Sequence, residues 1–117
     1  MFVIRKQFAF SASHCLDHLP EEHPCRRVHG HNYVVTVELA SEILNEDHFV
    51  TDYRELEPIK KYLDDVLDHR HLNDRLAWTP TAENIARHLY GVFKLKFPDL
   101  FSITVKETPK TAATYYE

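Results

Sequence analysis

The chain has 117 residues, 44% of them hydrophobic, which is one domain's length (1–117) with enough apolar and aromatic side chains for a single core. A formal charge of -4, with no cationic stripe, speaks against nucleic-acid binding, and no apolar run is long enough to span a membrane. The opening Met1–Lys6 lacks a signal peptide's charge-then-apolar order, so a cytoplasmic protein is expected, in which cysteines near histidines serve a metal or a reaction more readily than a disulfide.

The first predicted strand ends at His14. Strand side chains alternate between faces, and Phe2, Ile4, Phe8, Phe10, Ala12 and His14 share one face against Arg5, Gln7, Ser11 and Ser13. The second strand opens at His29 and continues in the same parity through His31, Tyr33, Val35, Val37 and Leu39, opposite Asn32, Thr36 and Glu38, with Val34 the apolar exception. If the two pair as antiparallel neighbours across the loop Cys15–Val28, His14, His29 and His31 converge at one end of the core. Three neutral imidazoles with an open fourth position fit a catalytic zinc, although copper, nickel and iron also accept imidazole. Cys25 either closes that tetrahedron or stands beside it as a reactive thiolate near Arg26 and Arg27. Cys15 has no comparable setting and reads as inert.

Ser41–Phe49 is a polar loop. A helical stripe of Leu56, Ile59, Leu63 and Val66 follows, with Asp52 as N-cap and Glu55 as capping-box partner; Pro58 shifts the regular helix to begin near Glu57, after a separate short turn. Leu67–Asp74 is dense in titratable groups and reads by default as a solvated loop. Within it Asp68 and His69 have acid–base potential, because a neighbouring carboxylate fixes an imidazole's tautomer and raises its basicity. The second helix is predicted from Thr79 as N-cap and Pro80 as first residue, burying Ile85, Leu89, Val92 and Phe93 and ending near Phe97–Pro98. Thr81 and Glu83 there serve as helix caps or as groups that meet a ligand ring. The last quarter alternates again, with Phe101, Ile103, Val105 and Glu107 inward and a short strand at Ala112–Tyr116. An inward carboxylate at Glu107 can accept two hydrogen bonds from an amidine-like edge such as that of a pterin or guanine. His18, His23, His48 and His88 read as surface or loop histidines. The order predicts an α+β domain, a four-stranded antiparallel sheet with two helices on one face, whose two open edges favour a homo-oligomer joined edge to edge.

Six ordered segments carry a resemblance: F-x-F-S-A-S-H ending at His14, C-R-R-V-H-G-H from Cys25 to His31, D-Y-x-x-L from Asp52, L-D-H-x-x-L-N around Asp68, P-T-A-E-N from Pro80 and V-K-E-T around Glu107. Together they resemble the 6-pyruvoyl-tetrahydropterin synthase family, which includes bacterial 6-carboxy-tetrahydropterin synthases of queuosine biosynthesis. The resemblance implies the tunnelling fold (ββααββ), with subunits closing into a barrel and usually a homohexamer built as a dimer of trimers. It also implies zinc on His14, His29 and His31, Cys25 as catalytic thiol, Asp68 and His69 as an acid–base pair meeting that thiol across a subunit boundary, and Glu107 as pterin anchor. The implied substrate is a small molecule, 7,8-dihydroneopterin triphosphate, for whose phosphates Arg26, Arg27 and Lys106 are candidates on charge. The short C-x-x-x-H-G-H spacing resembles the carboxy-forming branch, in which acetaldehyde leaves as well as triphosphate, whereas Arg26 departs from the small residue common there. The pyruvoyl-forming synthase and a purely structural zinc domain are the alternatives.

Overall fold

A computed structural model describes all 117 residues. The two alternating segments form strands β1 (Phe2–His14) and β2 (His29–Ser41), which pair antiparallel along their whole length from Phe2 opposite Ser41 to His14 opposite His29. Strands β3 (Leu100–Thr108) and β4 (Thr111–Tyr115) extend one antiparallel sheet in the order β1-β2-β3-β4. The inward parity holds beyond the start of β1: Phe8, Phe10, Ala12, Tyr33, Val35, Val37, Leu39, Ile103 and Val105 are buried in one cluster, whereas Phe2, expected inward, lies at the sheet's end beyond the helical layer and is exposed. Phe10 stacks on Tyr33 with ring centroids 4.7 Å apart, a contact that contributes about 1 kcal/mol beyond burial.

Phe101 departs from its predicted inward position. A register shift at Glu38/Leu39 sets Leu39 opposite Leu100, so Leu100 fills the core and Phe101 is 44% exposed. Ser102 is buried instead, its hydroxyl donating to Glu38 Oε1 at 2.6 Å.

The helical layer covers the apolar face. Asp52 Oδ1 accepts from the Arg54 N–H at 2.9 Å and caps a 3-10 turn (Tyr53–Leu56), after which α1 (Glu57–Tyr62) carries Pro58 in its first turn, where a missing N–H costs nothing. The stripe then leaves α geometry: Leu63–Leu67 form a π-helical turn, closed by Asp68 N–H donating to the Leu63 carbonyl at 2.8 Å. That turn keeps Leu63 and Leu67 in the core and releases Asp68 in an extended conformation toward β1. A short helix α2 (Leu72–Arg75) stands where the sequence reads as loop.

The long helix α3 (Ala82–Lys94) is capped by Thr81, whose hydroxyl accepts from the Asn84 N–H at 3.2 Å. The cap therefore falls two residues after Thr79. Pro80 stays outside the helix because its carbonyl is engaged by His14. Buried Ile85, Ala86, Leu89, Tyr90 and Phe93 pack α3 on β3 and β4. His88 is no surface histidine either: its Nε2 lies 2.8 Å from the Tyr62 hydroxyl, its ring adjoins Trp78, and burial pushes its pKa down. No helix is long and apolar enough to cross a membrane.

Candidate active site

The strand register sets His14 and His29 side by side, and the hydrogen bonds behind them fix their tautomers. His14, fully buried, has Nδ1 2.8 Å from the Pro80 carbonyl and 3.2 Å from the Tyr33 hydroxyl. His29 Nδ1 lies 2.7 Å from the Arg27 carbonyl. A carbonyl only accepts, so each Nδ1 carries the hydrogen and each Nε2 presents a lone pair. Those two Nε2 atoms face each other at 3.0 Å. Burial pushes the His14 pKa down, which favours the neutral ring. His31 Nε2 is buried with no hydrogen-bond partner, although Glu107 Oε2 lies 2.9 Å away, because that contact lacks hydrogen-bond alignment.

Facing lone pairs and an orphaned nitrogen are costly alone and are resolved by a cation among them. Nitrogens about 2.0–2.1 Å from a tetrahedral zinc stand roughly 3.3 Å apart, close to the observed spacing. The donor atoms of His14, His29, His31 and Glu107 all lie within 4.8 Å of one another, so this group could hold a metal ion. The fourth donor position, expected to be open, thus has the Glu107 carboxylate beside it, and the thiol of Cys25 is not in the group. Strand parity foretold that Glu107 points inward, but its nearness to His31 depends on the β2–β3 register, which no local pattern reveals.

The Asp68–His71 segment docks on the outer edge of β1. Ser11 N–H donates to Asp68 Oδ1 at 2.8 Å, His69 N–H donates to the Ser11 carbonyl, and Ser13 N–H donates to the Arg70 carbonyl. Asp68 Oδ2 lies 2.7 Å from His69 Nδ1, which leaves His69 Nε2 free on a side chain 83% exposed. His69 holds φ at 58°, left-handed backbone rare for a residue with a Cβ. The Ser11 N–H, with His69 second, holds the Asp68 carboxyl below the usual carboxylate range. A depressed pKa stabilises the docked loop at all pH values above the unfolded carboxylate's, roughly pH 4, and that stabilisation fades as pH falls through the lowered folded value. In Asp68→Asn the amide oxygen can still accept from Ser11, but its NH2 faces His69 Nδ1 and forces the opposite tautomer. We expect kcat to fall roughly a hundred- to ten-thousand-fold while the melting temperature drops only by the modest amount that the lost carboxylate charge contributed, read from pH–rate profiles and thermal unfolding.

Cys25 lies in a one-turn 3-10 helix (Pro24–Arg26), partly exposed, its backbone N–H donating to His23 Nδ1 at 3.1 Å. His23 is therefore a capping residue as well as a loop histidine. Arg26 Nη1 donates to the carbonyls of Asp17 and Leu19 at 3.0 and 2.6 Å, stapling the loop that carries the thiol. Asn73 clamps the N–H and carbonyl of Cys15, next to His14, at 3.0 and 2.9 Å. Sequence reading missed Asn73, Tyr33 and the Pro80 carbonyl as supports of the candidate metal-ligand set, and only the asparagine that closes the L-D-H-x-x-L-N segment hinted at one.

A sequence profile described as 6-pyruvoyl tetrahydropterin synthase matches residues 3–117. The chain belongs to the 6-pyruvoyl tetrahydropterin synthase family. A Synechocystis protein named 6-carboxy-5,6,7,8-tetrahydropterin synthase is 38% identical over 126 residues, covering 99% of this chain and 94% of that protein. A putative 6-pyruvoyl tetrahydrobiopterin synthase of Caenorhabditis elegans is 32% identical over 94 residues, covering 74% of this chain and 67% of the relative. The solved structure of Caenorhabditis elegans 6-pyruvoyl tetrahydropterin synthase superposes with a TM-score of 0.87 at 28% identity, covering 99% of this chain and 95% of that one. The sheet and its helical layer are thus the tunnelling fold.

Three of the remaining candidates of this synthase-family chain line two cavities. Glu83 and Glu107 line one of about 240 Å3 with Val105 and Thr111, while Lys106 and Glu107 line another of about 580 Å3 with Gln7 and Asn32. Thr81 beside the first is committed through its hydroxyl to the helix cap, and Arg27 offers its carbonyl to His29.

Proposed function

We propose that the chain is a zinc-dependent lyase that converts 7,8-dihydroneopterin triphosphate to 6-carboxy-tetrahydropterin, acetaldehyde and triphosphate, in queuosine biosynthesis in the cytoplasm. The observation that carries this reading is the pair of facing Nε2 lone pairs beside the orphaned His31, in a chain similar over nearly its whole length to a protein named 6-carboxy-5,6,7,8-tetrahydropterin synthase. His14, His29 and His31 would hold the metal. Bound there, zinc would supply Lewis acidity at the hydroxyls of the substrate's side chain.

The chain's own groups would supply the proton transfers. Cys25 as thiolate takes the proton from the side-chain carbon next to the ring, whose electron pair shifts into the ring C=N bond; reprotonation of the ring then turns the dihydropterin into a tetrahydropterin as that carbon becomes a carbonyl. His69, held by Asp68 through Nδ1, exchanges protons with its free Nε2 at the neighbouring hydroxyl. Triphosphate then leaves the adjacent carbon with the bonding electron pair. Splitting the resulting dicarbonyl side chain into a carboxylate and acetaldehyde takes up one water, which balances the reaction. Glu107 accepts from the ring's N–H and amino groups, with Thr81 and Glu83 at its margin, while Arg27 and Lys106 contribute positive charge toward the phosphates; the guanidinium of Arg26, bound to two carbonyls of its own loop, is left out of that role. Edge strands β1 and β4 have unpaired outer sides apart from the stretch covered by Asp68–His71, which supports assembly of this single domain edge to edge into a barrel, as a homohexamer of two trimers. Thiol and acid–base pair then meet across a subunit boundary.

The test is incubation of purified, zinc-loaded protein with 7,8-dihydroneopterin triphosphate, analysed by mass spectrometry. Carboxytetrahydropterin with acetaldehyde is expected; pyruvoyltetrahydropterin without acetaldehyde would place the chain in the other branch of the family.

A further inference from the structure

Where Asp68–His71 docks on β1, the sheet's polar face carries an open cavity of about 490 Å3, bordered among others by Ser13, Asn32, His69, Arg70 and His71. Its wall offers hydrogen-bond donors and no free carboxylate. The amide oxygen of Asn32 already accepts from the Ser11 hydroxyl at 2.7 Å, so the Asn32 NH2 group remains to donate. Ser13 Oγ lies 2.9 Å from His71 Nδ1, and either tautomer leaves one hydrogen over: Nε2–H if the serine donates, the serine O–H if the imidazole does. Arg70 is exposed and forms no ion pair within the chain. Asp68, the nearest carboxylate in sequence, is spent on Ser11 and His69 and does not line the cavity. An array of donors around a permanent guanidinium charge, with acceptors already committed, selects an anion.

We propose that this cavity binds a polyphosphate chain, with Arg70 as its charge and His71, Ser13 and Asn32 as its hydrogen-bond donors. The anion's identity rests on the lyase reading: in 7,8-dihydroneopterin triphosphate the phosphate ester is one carbon from the hydroxyl that His69 would serve, so a substrate docked at His69 extends its phosphates into this cavity. Arg26 is bound to two carbonyls of its own loop and lies outside it. Arg70 thus takes the part that charge alone gave to Arg26.

The test is calorimetric titration of the metal-loaded, full-length protein with inorganic tripolyphosphate and with orthophosphate. Metal content is measured before and after, so that chelation is not read as binding. Tripolyphosphate is expected to bind more tightly than orthophosphate, Arg70→Gln to weaken it roughly tenfold or more, and His71→Ala to weaken it several-fold, whereas Arg26→Gln leaves it unchanged. Equal affinity in wild type, Arg70→Gln and His71→Ala, or no saturable binding, would overturn the site. Turnover separates this inference from the lyase: Arg70-dependent binding without turnover removes the reaction and keeps the anion site, while turnover with binding and KM indifferent to Arg70 does the reverse.

Discussion

Cys25→Ala protein is expected to keep its metal and lose its turnover, with kcat lower by roughly a hundred- to ten-thousand-fold, the usual weight of one proton-transfer group. The donor atoms clustered for a metal belong to His14, His29, His31 and Glu107, so removing the thiol deletes no member of that group. Cys25 is partly exposed, and its turn is held by backbone and by His23, so the loop should survive the change. Metal analysis beside single-turnover kinetics checks both halves. Loss of metal in this variant would instead make the thiol a ligand and favour a structural zinc.

The second large effect separates two candidate ligands that the chemistry makes equivalent and the packing does not. His14→Ala and His29→Ala should each weaken metal binding by more than the roughly 10–100-fold that loss of an outer-shell partner costs. Only His14→Ala should also destabilise the metal-free protein. Its ring is fully buried, and its removal leaves a void together with an unpaired Pro80 carbonyl and Tyr33 hydroxyl, a cost of about 2–4 kcal/mol. His29 is only partly buried at the mouth of the site, so its truncation should shift stability by less than about 1 kcal/mol. Denaturant unfolding of the two metal-free variants gives the comparison.

What the sequence made legible was whatever depends on short-range periodicity. The period of two placed His14, His29 and His31 on one face, and equal antiparallel strands then made convergence a geometric necessity. Pro58 correctly marked where α1 starts. Features set by contacts distant in sequence were hidden. The bulge that turns Phe101 outward is an extra residue of β3 that only its pairing with β2 reveals, and the cap at Thr81 is displaced because the Pro80 carbonyl serves His14. The π-turn that aims Asp68 at Ser11 leaves no mark in a stripe of Leu63, Val66 and Leu67. Charge alone marked Arg26 for the phosphates, yet two loop carbonyls hold its guanidinium. The same blindness hid the donor cavity around Arg70, whose parts come from β1, β2 and the loop before α2.

Metal content coupled to turnover bears most directly on the central claim that the three imidazoles hold a catalytic metal. The purified protein would be stripped with a chelator, assayed with 7,8-dihydroneopterin triphosphate, and assayed again as zinc is returned in known amounts. Turnover should vanish with the metal and return in proportion to it, saturating near one zinc per chain. Undiminished turnover in the stripped protein, or full zinc occupancy with no consumption of substrate, would contradict it.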